Sequence, residues 1–425
     1  MIKKYWNVFK EKGISGFIKL TALRFLTGVI ALPIVIIFVM ISPWVRIRLV
    51  RLFSYRIGHY ALNTELFLSA METDLYPTQK KYKTFFYTFP GEPICNQQLH
   101  IMWKRVIPIL PFPLVWYQVD KFLKYIFGNE YKNDRLKKTF ESSDGAIDQW
   151  NFLRDIKQCH ISFTVEEKRR GEIELRNMGV PLGAPFVCLL GRDSHYLKTH
   201  LPSVDWSYQD YRDVKMNTYH ETAVFLAEQG YYVIRMGKEA KEKFDVHHPK
   251  VIDYANYSTR SDFLDIYLSA HCSFFISLRS GIDAVAQIFR RPLLLVNFPL
   301  CDYWSLYFVE LFIPKKVWDK RQNRFLTFSE MCWAMDRHDL PRVLKENDWY
   351  FVDNQASEIL EAVKEMLTKM KGNWTSSVEN KLLQEKFWQC IPKTTRNTAI
   401  AKIPVGKSFL EKHQALLGEE ILYSS

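Results

Sequence analysis

The chain has 425 residues, 48% hydrophobic and 15% aromatic, enough for two or three cored domains, which excludes a disordered protein. A formal net charge of +12 calls for an anionic partner: nucleic acid, acidic lipid or a phosphorylated substrate. The seven cysteines (Cys95, Cys159, Cys188, Cys272, Cys301, Cys332 and Cys390) form no C-x-x-C pair, which points to a reduced, cytosol-facing compartment and argues against zinc.

The first element is LTGVIALPIVIIFVMISPWV, Leu26 to Val45, without a charge and long enough to cross a bilayer. No small-residue cleavage site follows it, so a removed signal peptide fits poorly. Lys3, Lys4, Lys10, Lys12, Lys19 and Arg24 precede it, and Arg46, Arg48, Arg51 and Arg56 follow. Basic flanks on both sides give a weak orientation signal for a span. A segment bent at Pro33, re-entrant or interfacial, would return both flanks to one anionic leaflet. The expectation is membrane attachment with tail and catalytic domains both cytoplasmic; deleting residues 1–45 should then release much of the protein.

From residue 52 to about 170, short apolar runs alternate with polar stretches. YKTFFYTF (82–89) and LHIMW (99–103) read as strands or buried helix starts. RVIPILPFPLVWYQVDKFLKYIF (105–127), with three prolines, reads as an irregular linker entering a helix. GNEYKNDRLKKTFESSDGA (128–146) reads as a charged, exposed stretch. Thr164 with Glu167 three residues on predicts a capped helix over 164–180, ending near Gly179. The domain boundary is placed there.

Beyond Pro185 the rhythm becomes regular: strands at 186–190, 231–237, 250–254, 272–277 and 293–297 alternate with helices at 217–230, 260–271 and 281–289. Such alternation predicts a doubly wound parallel sheet, in which ligands collect at the carboxyl ends of the strands. Those ends carry Arg192 and Asp193, then Arg235 and Lys238, then Ser277, Arg279, Ser280 and Gly281. Hydroxyl residues and glycine between a strand and a helix start suit a phosphate or diphosphate at the helix terminus, with Arg279 or Arg235 adding a charged hydrogen bond. The bland alternative is that Ser280 caps the helix and Gly281 saves space. There is no G-x-G-x-x-G, no G-x-x-x-x-G-K-[ST] and no D-x-D. These absences disfavour a nicotinamide, flavin or P-loop site and a metal-held diphosphate. A nucleotide diphosphate held by a helix terminus and basic side chains, with no cofactor and no metal, remains.

Several blocks together, RIGHYALNTELFL (56–68), FVCLLGRDSHYL (186–197), YRDVKMNTY (211–219), GYYVIRMGKE (230–239), IDYANYSTRSDFLDIYLSAHCSFFIS (252–277), SGIDAV (280–285), RRPLLLVNF (290–298) and LFIPKKVW (311–318), resemble one family. It is a family of bacterial glycosyltransferases found with surface-polysaccharide genes and named mostly by inference. The resemblance covers roughly 52–335 and is densest over 180–320. It implies an α/β protein with two Rossmann-like domains of the GT-B type and a nucleotide-sugar donor in the C-terminal half. Segments 1–48 (membrane-associating), 49–178 (acceptor domain), 179–370 (donor domain) and 371–425 (helical tail) follow. No catalytic residue is carried over. Arg279 stands where the family pattern has a small or hydroxyl residue, and the apolar N-terminal segment is longer than usual.

In such a fold Ile57-Gly58-His59 makes the first strand-to-helix turn of the N-terminal domain, facing the cleft. An unperturbed histidine titrates near neutrality, which makes His59 the candidate general base, with Glu65 as runner-up. Asp193 either orients Arg192 or is itself the base. Arg56 and Gly58 lie on the acceptor side, where Arg56 binds an acceptor phosphate or faces anionic lipid. Tyr211-Arg212-Asp213 reads as a donor-side loop or as a surface salt bridge.

The leading reading is transfer of a sugar from a nucleotide sugar to a lipid-linked or polysaccharide acceptor at the cytoplasmic membrane face. A polysaccharide phosphotransferase shares the architecture. A non-catalytic protein binding anionic lipid or nucleic acid is the third reading. Nucleic acid is disfavoured, because basic residues interleaved with exposed aromatics are missing.

Overall fold

The computed structural model describes residues 2–73, 82–132, 134–192, 207–238, 240, 242–333, 339–392 and 403–418. They form two compact units, one from 1–146 with 160–162 and the other from 147–159 with 163–425. The α/β class, the parallel sheets and the apolar N-terminal helix are as expected. All seven cysteines are free thiols.

The first unit is built on three parallel strands, β1 (Arg46–Arg51), β2 (Tyr82–Tyr87) and β3 (Ile109–Leu110), in the order β1-β2-β3. Parallel neighbours need crossovers. Helix α2 (Ile57–Met71), buried at every residue from Tyr60 to Ala70, lies between β1 and β2 in the chain. Helix α3 (Gln97–Val106) joins β2 to β3, its N-terminus capped by Asn96, which accepts from Leu99 N at 2.8 Å. LHIMW is therefore helical.

Helix α1 (Ile2–Ile41) is a single uninterrupted helix with Pro33 inside it. An unbroken helix cannot double back, so the re-entrant turn at Pro33 does not form. Ala31 and Val35, spaced one turn apart, pack into a core with Leu49, Tyr87, Val119, Leu123 and Tyr131. Three of these side chains come from α4 (Pro113–Ile126) and α5 (Gly128–Lys132).

The stretch 128–146 is not the exposed segment its charge suggests. In α6 (Arg135–Phe140), Leu136, Lys137 and Phe140 are buried. Lys137 Nζ meets Asp120 Oδ1 at 2.7 Å and Glu141 Oε1 at 3.1 Å and donates to the Leu49 carbonyl. Tyr131 donates to Asp120 at 2.9 Å, and Arg48 pairs with Asp134 at 2.6 Å. These charges tie α4 and α6 to β1. Burial pushes the Asp120 carboxyl up, yet Lys137 and Lys124 hold it below the usual aspartate value.

In the second unit six parallel strands form one sheet: β4 (Phe186–Leu189), β5 (Tyr232–Arg235), β6 (Val251–Ile252), β7 (Phe275–Ser277), β8 (Leu293–Phe298) and β9 (Leu311–Pro314). Their order, β6-β5-β4-β7-β8-β9, is the 3-2-1-4-5-6 arrangement of the Rossmann fold. Between them run α9 (His220–Glu228), α10 (Asp262–His271) and α11 (Asp283–Ile288). Ser261 caps α10, accepting from Leu264 N at 3.2 Å.

A small antiparallel sheet unforeseen from the sequence, β11-β10-β12, uses Lys316–Asp319 (β10), Arg324–Phe325 (β11) and Trp349–Val352 (β12). The C-terminal segment belongs to this unit. Phe312 bridges to Val405, and Glu358 on α12 (Ala356–Met370) meets His413 at 2.6 Å and Lys316 at 3.1 Å.

The division between units falls near residue 147 rather than 178, because α8 (Val165–Asn177) packs on α10. Among the short segments before it is α7 (Phe152–Asp155). The capping box is as expected: Thr164 Oγ1 accepts from Glu167 N at 3.2 Å, and Glu167 accepts from Thr164 N at 2.9 Å. At Gly171 an added Cβ would overlap the Tyr267 ring, itself stacked on His271 at 4.1 Å and on Phe263 at 5.7 Å. Alanine in a helix interior normally gains up to about 1 kcal/mol over glycine. Here overpacking wins, and Gly171→Ala should destabilise the second unit by roughly 1–3 kcal/mol. Urea unfolding of the variant against the parent measures it; a gain in stability would mean the ring yields.

Candidate functional site

In the Rossmann order the strand sequence reverses between β4 and β7, and the crevice outside their carboxyl ends is where such sheets take ligands. Beyond β4 come Leu190, Gly191 and Arg192; beyond β7 come Leu278, Arg279 and Ser280. Arg279 sits in the left-handed region, φ 71°, a conformation uncommon outside glycine and one that collects at functional turns. Its guanidinium donates to Gln287 Oε1 at 2.9 Å, and Gln287 in turn donates to the Tyr307 carbonyl at 2.9 Å.

Next to these ends lie two cations that the strand-end reading did not single out. Arg212 is mostly buried, not a surface salt bridge: it pairs with buried Asp302, just beyond β8, and donates from Nε to Tyr211 Oη at 3.0 Å. Lys315, the residue after β9, is 2% exposed. Its Nζ donates to the carbonyls of Tyr211 at 3.0 Å and Asp213 at 2.8 Å and pairs with Asp353 at 2.9 Å. Extending the strand-end rule to β8 and β9 would have found Asp302 and Lys315.

The four cations feel one another. Burial, then repulsion from Arg212, lowers the pKa of Arg279; burial outweighs Asp213 in lowering Arg192, with Arg212 adding to it. Burial lowers Lys315 too, with Arg192 adding to it. For Arg212 burial also opposes the charge, but Asp302 and Tyr211 raise its pKa on balance. Asp302 answers Arg212 and Asp353 answers Lys315 at close range, while Arg279 is bonded to the Gln287 amide. The contact from Arg192 Nε to Asp213 Oδ1 is looser, at 3.9 Å. Crowded, partly desolvated cations at strand ends can take an anion, since its charge relieves their repulsion.

Ser277, Ser280 and Gly281 are in this turn, but the amide of Ser280 is already in use. Asp283, 1% exposed, accepts from Ser280 N and from Ser277 Oγ, both at 2.7 Å. A carboxylate thus occupies the start of α11 and takes the Ser280 amide, while Arg279 supplies a cation to the turn. Arg235 is fully buried one strand out, on the side of β4 away from β7, where it meets Asp253 at 3.3 Å and donates to the Glu242 carbonyl. It clamps the loop after β5. Lys238 lies exposed beyond it. Asp193 lies outside the described residues.

In the first unit the expected turn forms: β1 ends at Arg51 and α2 begins at Ile57, with exposed Arg56 at its N-cap and Gly58 and His59 in its first turn. Asn63 donates its amide to the carbonyls of Phe140 at 2.8 Å and Ser142 at 3.0 Å. That leaves Oδ1 facing His59 Nδ1 at 3.1 Å. Hydrogen bonding thereby assigns the proton of neutral His59 to Nδ1 and the lone pair to Nε2. The ring packs on Phe53 at 5.2 Å. Glu65 has no exposed surface; it pairs with His160 Nδ1 at 3.0 Å and accepts from His160 N at 3.3 Å. Its position suits a structural partner, not a base facing an acceptor.

No protein-family model matches the chain, and no curated protein matches it. Among solved structures it is similar to a glycosyl transferase family 9 protein of Veillonella parvula, at 9% identity and a TM-score of 0.36, over 58% of this chain and 79% of that one. It is also similar to the ADP-heptose LPS heptosyltransferase II of E. coli, at 13% identity and a TM-score of 0.33, over 58% and 84%. Scores this low carry no weight for activity.

The His160–Glu65 pair has a pH signature. Burial lowers the His160 pKa, but Glu65 and Glu72 outweigh it and raise the value above the usual 6.5. A raised folded-state pKa gives stability that is fully present below about pH 6.5 and is lost as pH rises through the folded value. Glu65→Gln should therefore cost about 1–3 kcal/mol at pH 6 and less at pH 9. Thermal melts across that range check it; an equal loss at both pH values would leave the pair without an ionic role.

Proposed function

We propose that the protein is a metal-independent glycosyltransferase that moves a sugar from a nucleotide-sugar donor to a lipid-linked or polysaccharide acceptor in bacterial surface-glycan synthesis, at the cytoplasmic face of the membrane. One observation carries the donor half: Arg192, Arg279, Arg212 and Lys315 crowd at the strand ends beside the point where the strand order reverses. That is chemistry for a diphosphate.

In this reading Arg192 and Arg279 contact the diphosphate, while Lys315 and Asp302 position the 211–213 segment. His59 Nε2 takes the proton of the acceptor hydroxyl as its oxygen bonds to the sugar's anomeric carbon. The carbon–oxygen bond to the diphosphate breaks, and the electron pair leaves with the nucleoside diphosphate, stabilised by the arginines.

Titration calorimetry against a panel of nucleotide sugars tests the donor half. The cognate donor should bind Arg192→Ala about 10- to 100-fold more weakly than the parent, the loss of one charged hydrogen bond. Binding of no nucleotide sugar, or unchanged affinity in a folded variant, refutes the site. His59→Ala should keep donor affinity and lower turnover roughly 10²–10⁴-fold. A loss of only twofold would remove His59 from the chemistry. Release of nucleoside monophosphate instead of diphosphate would identify a phosphotransferase.

A further inference from the structure

Helix α1 is apolar on two opposite sides. Thr27, Ala31 and Val35 form one side, turned into the core of the first unit. Phe25, Val29, Ile36 and Met40 lie roughly 150° round the helix at about 100° per residue. Phe25 is 74% exposed and Met40 66%. From Phe25 to Val45 this surface carries no charge. A helix on the outside of a folded domain ordinarily turns a polar face to water. An apolar arc this long marks a surface that is covered in use.

Three observations identify what covers it. Residues 12–64 contain no Asp or Glu, and Lys19, Arg24 and Arg46 bracket the arc. Trp44, beyond the helix end, is 76% exposed. At the start of α4, which packs on α1, Phe112 is held at φ 55° with three-quarters of its surface exposed, a strained backbone presenting an aromatic ring. Cations, interfacial aromatics and an aliphatic arc without acids match an anionic lipid surface and mismatch a protein partner's mixed polar rim.

We infer that the first unit is a monotopic membrane module. Helix α1 does not span; it is shared between the protein core on its inner side and one anionic leaflet on its outer side, with Trp44 and Phe112 at the headgroup level. A span would carry Ala31 and Val35, which complete the core over Leu49 and Tyr87, into lipid. Deleting residues 1–45 would strip core and anchor together, so substitutions on the outer arc isolate the anchor. The inference rests on the membrane placement proposed above and is independent of glycosyl transfer, which a soluble acceptor analogue reports separately.

The test is co-flotation of the full chain with vesicles of phosphatidylcholine and phosphatidylglycerol, against phosphatidylcholine alone. The parent should float with the anionic vesicles. The double variant Ile36→Asp, Met40→Asp should keep the parent's circular dichroism and melting curve and bind at least about tenfold more weakly. Unchanged flotation of that folded variant overturns the assignment. So does a parent that ignores vesicles but forms a dimer by light scattering, with the variant monomeric, since the arc then seats a second copy. In intact cells Ser15→Cys should stay unmodified by an impermeant maleimide until the cells are opened. Labelling from outside would establish a true span.

Discussion

In the second unit every strand of the six-stranded sheet points the same way, so each hands its next residue to the same edge. That constraint concentrates chemistry. Arg192, Arg279, Asp302 and Lys315 are far apart in sequence, yet each follows a strand that ends on that edge. Reversal of the order at β4 and β7 leaves a gap between the helices on the two faces, and the cations gather beside it. Their mutual repulsion is tolerated because Asp213, Asp283, Asp302 and Asp353 are distributed among them. Neither set of charges would be stable in such burial without the other.

The first unit meets the same problem with a different solution. Its sheet has three strands among the described residues and cannot bury much by itself, so the core extends to α1 and to α6. Lys137 spans from Asp120 to the Leu49 carbonyl, satisfying a buried charge and a backbone carbonyl of β1 at once. Removing either Asp120 or Lys137 alone would strand the other, which is costlier than replacing both with apolar residues.

Much of this was legible in the sequence because local rules and tertiary structure agree. Alternating strand and helix periods from Pro185 onward and the Thr164–Glu167 box are short-range signals, and they form where expected. Illegible parts depend on distant partners. Lys137 is buried only because Asp120 approaches from another helix. Arg235 reads as a ligand contact until Asp253 and the Glu242 carbonyl close on it. Ser280 reads as an anion-binding amide until the buried Asp283 carboxylate takes its hydrogen. Pro33 looked like a bend, but packing on both of its flanks keeps the helix continuous through it, against a usual cost of about 3 kcal/mol.

The two-sided character of α1 also has a consequence for synthesis. The helix leaves the ribosome before its partners, and its inner face waits for residues as late as Tyr131. From Val35 that is almost a hundred residues, or roughly 5–20 s of elongation at about 5–20 residues per second. Throughout that interval both apolar sides are bare on a nascent chain. Whatever first covers the outer side, chaperone or membrane, can engage it before the second unit has been made, so that side would be occupied while the second unit is still unfolded.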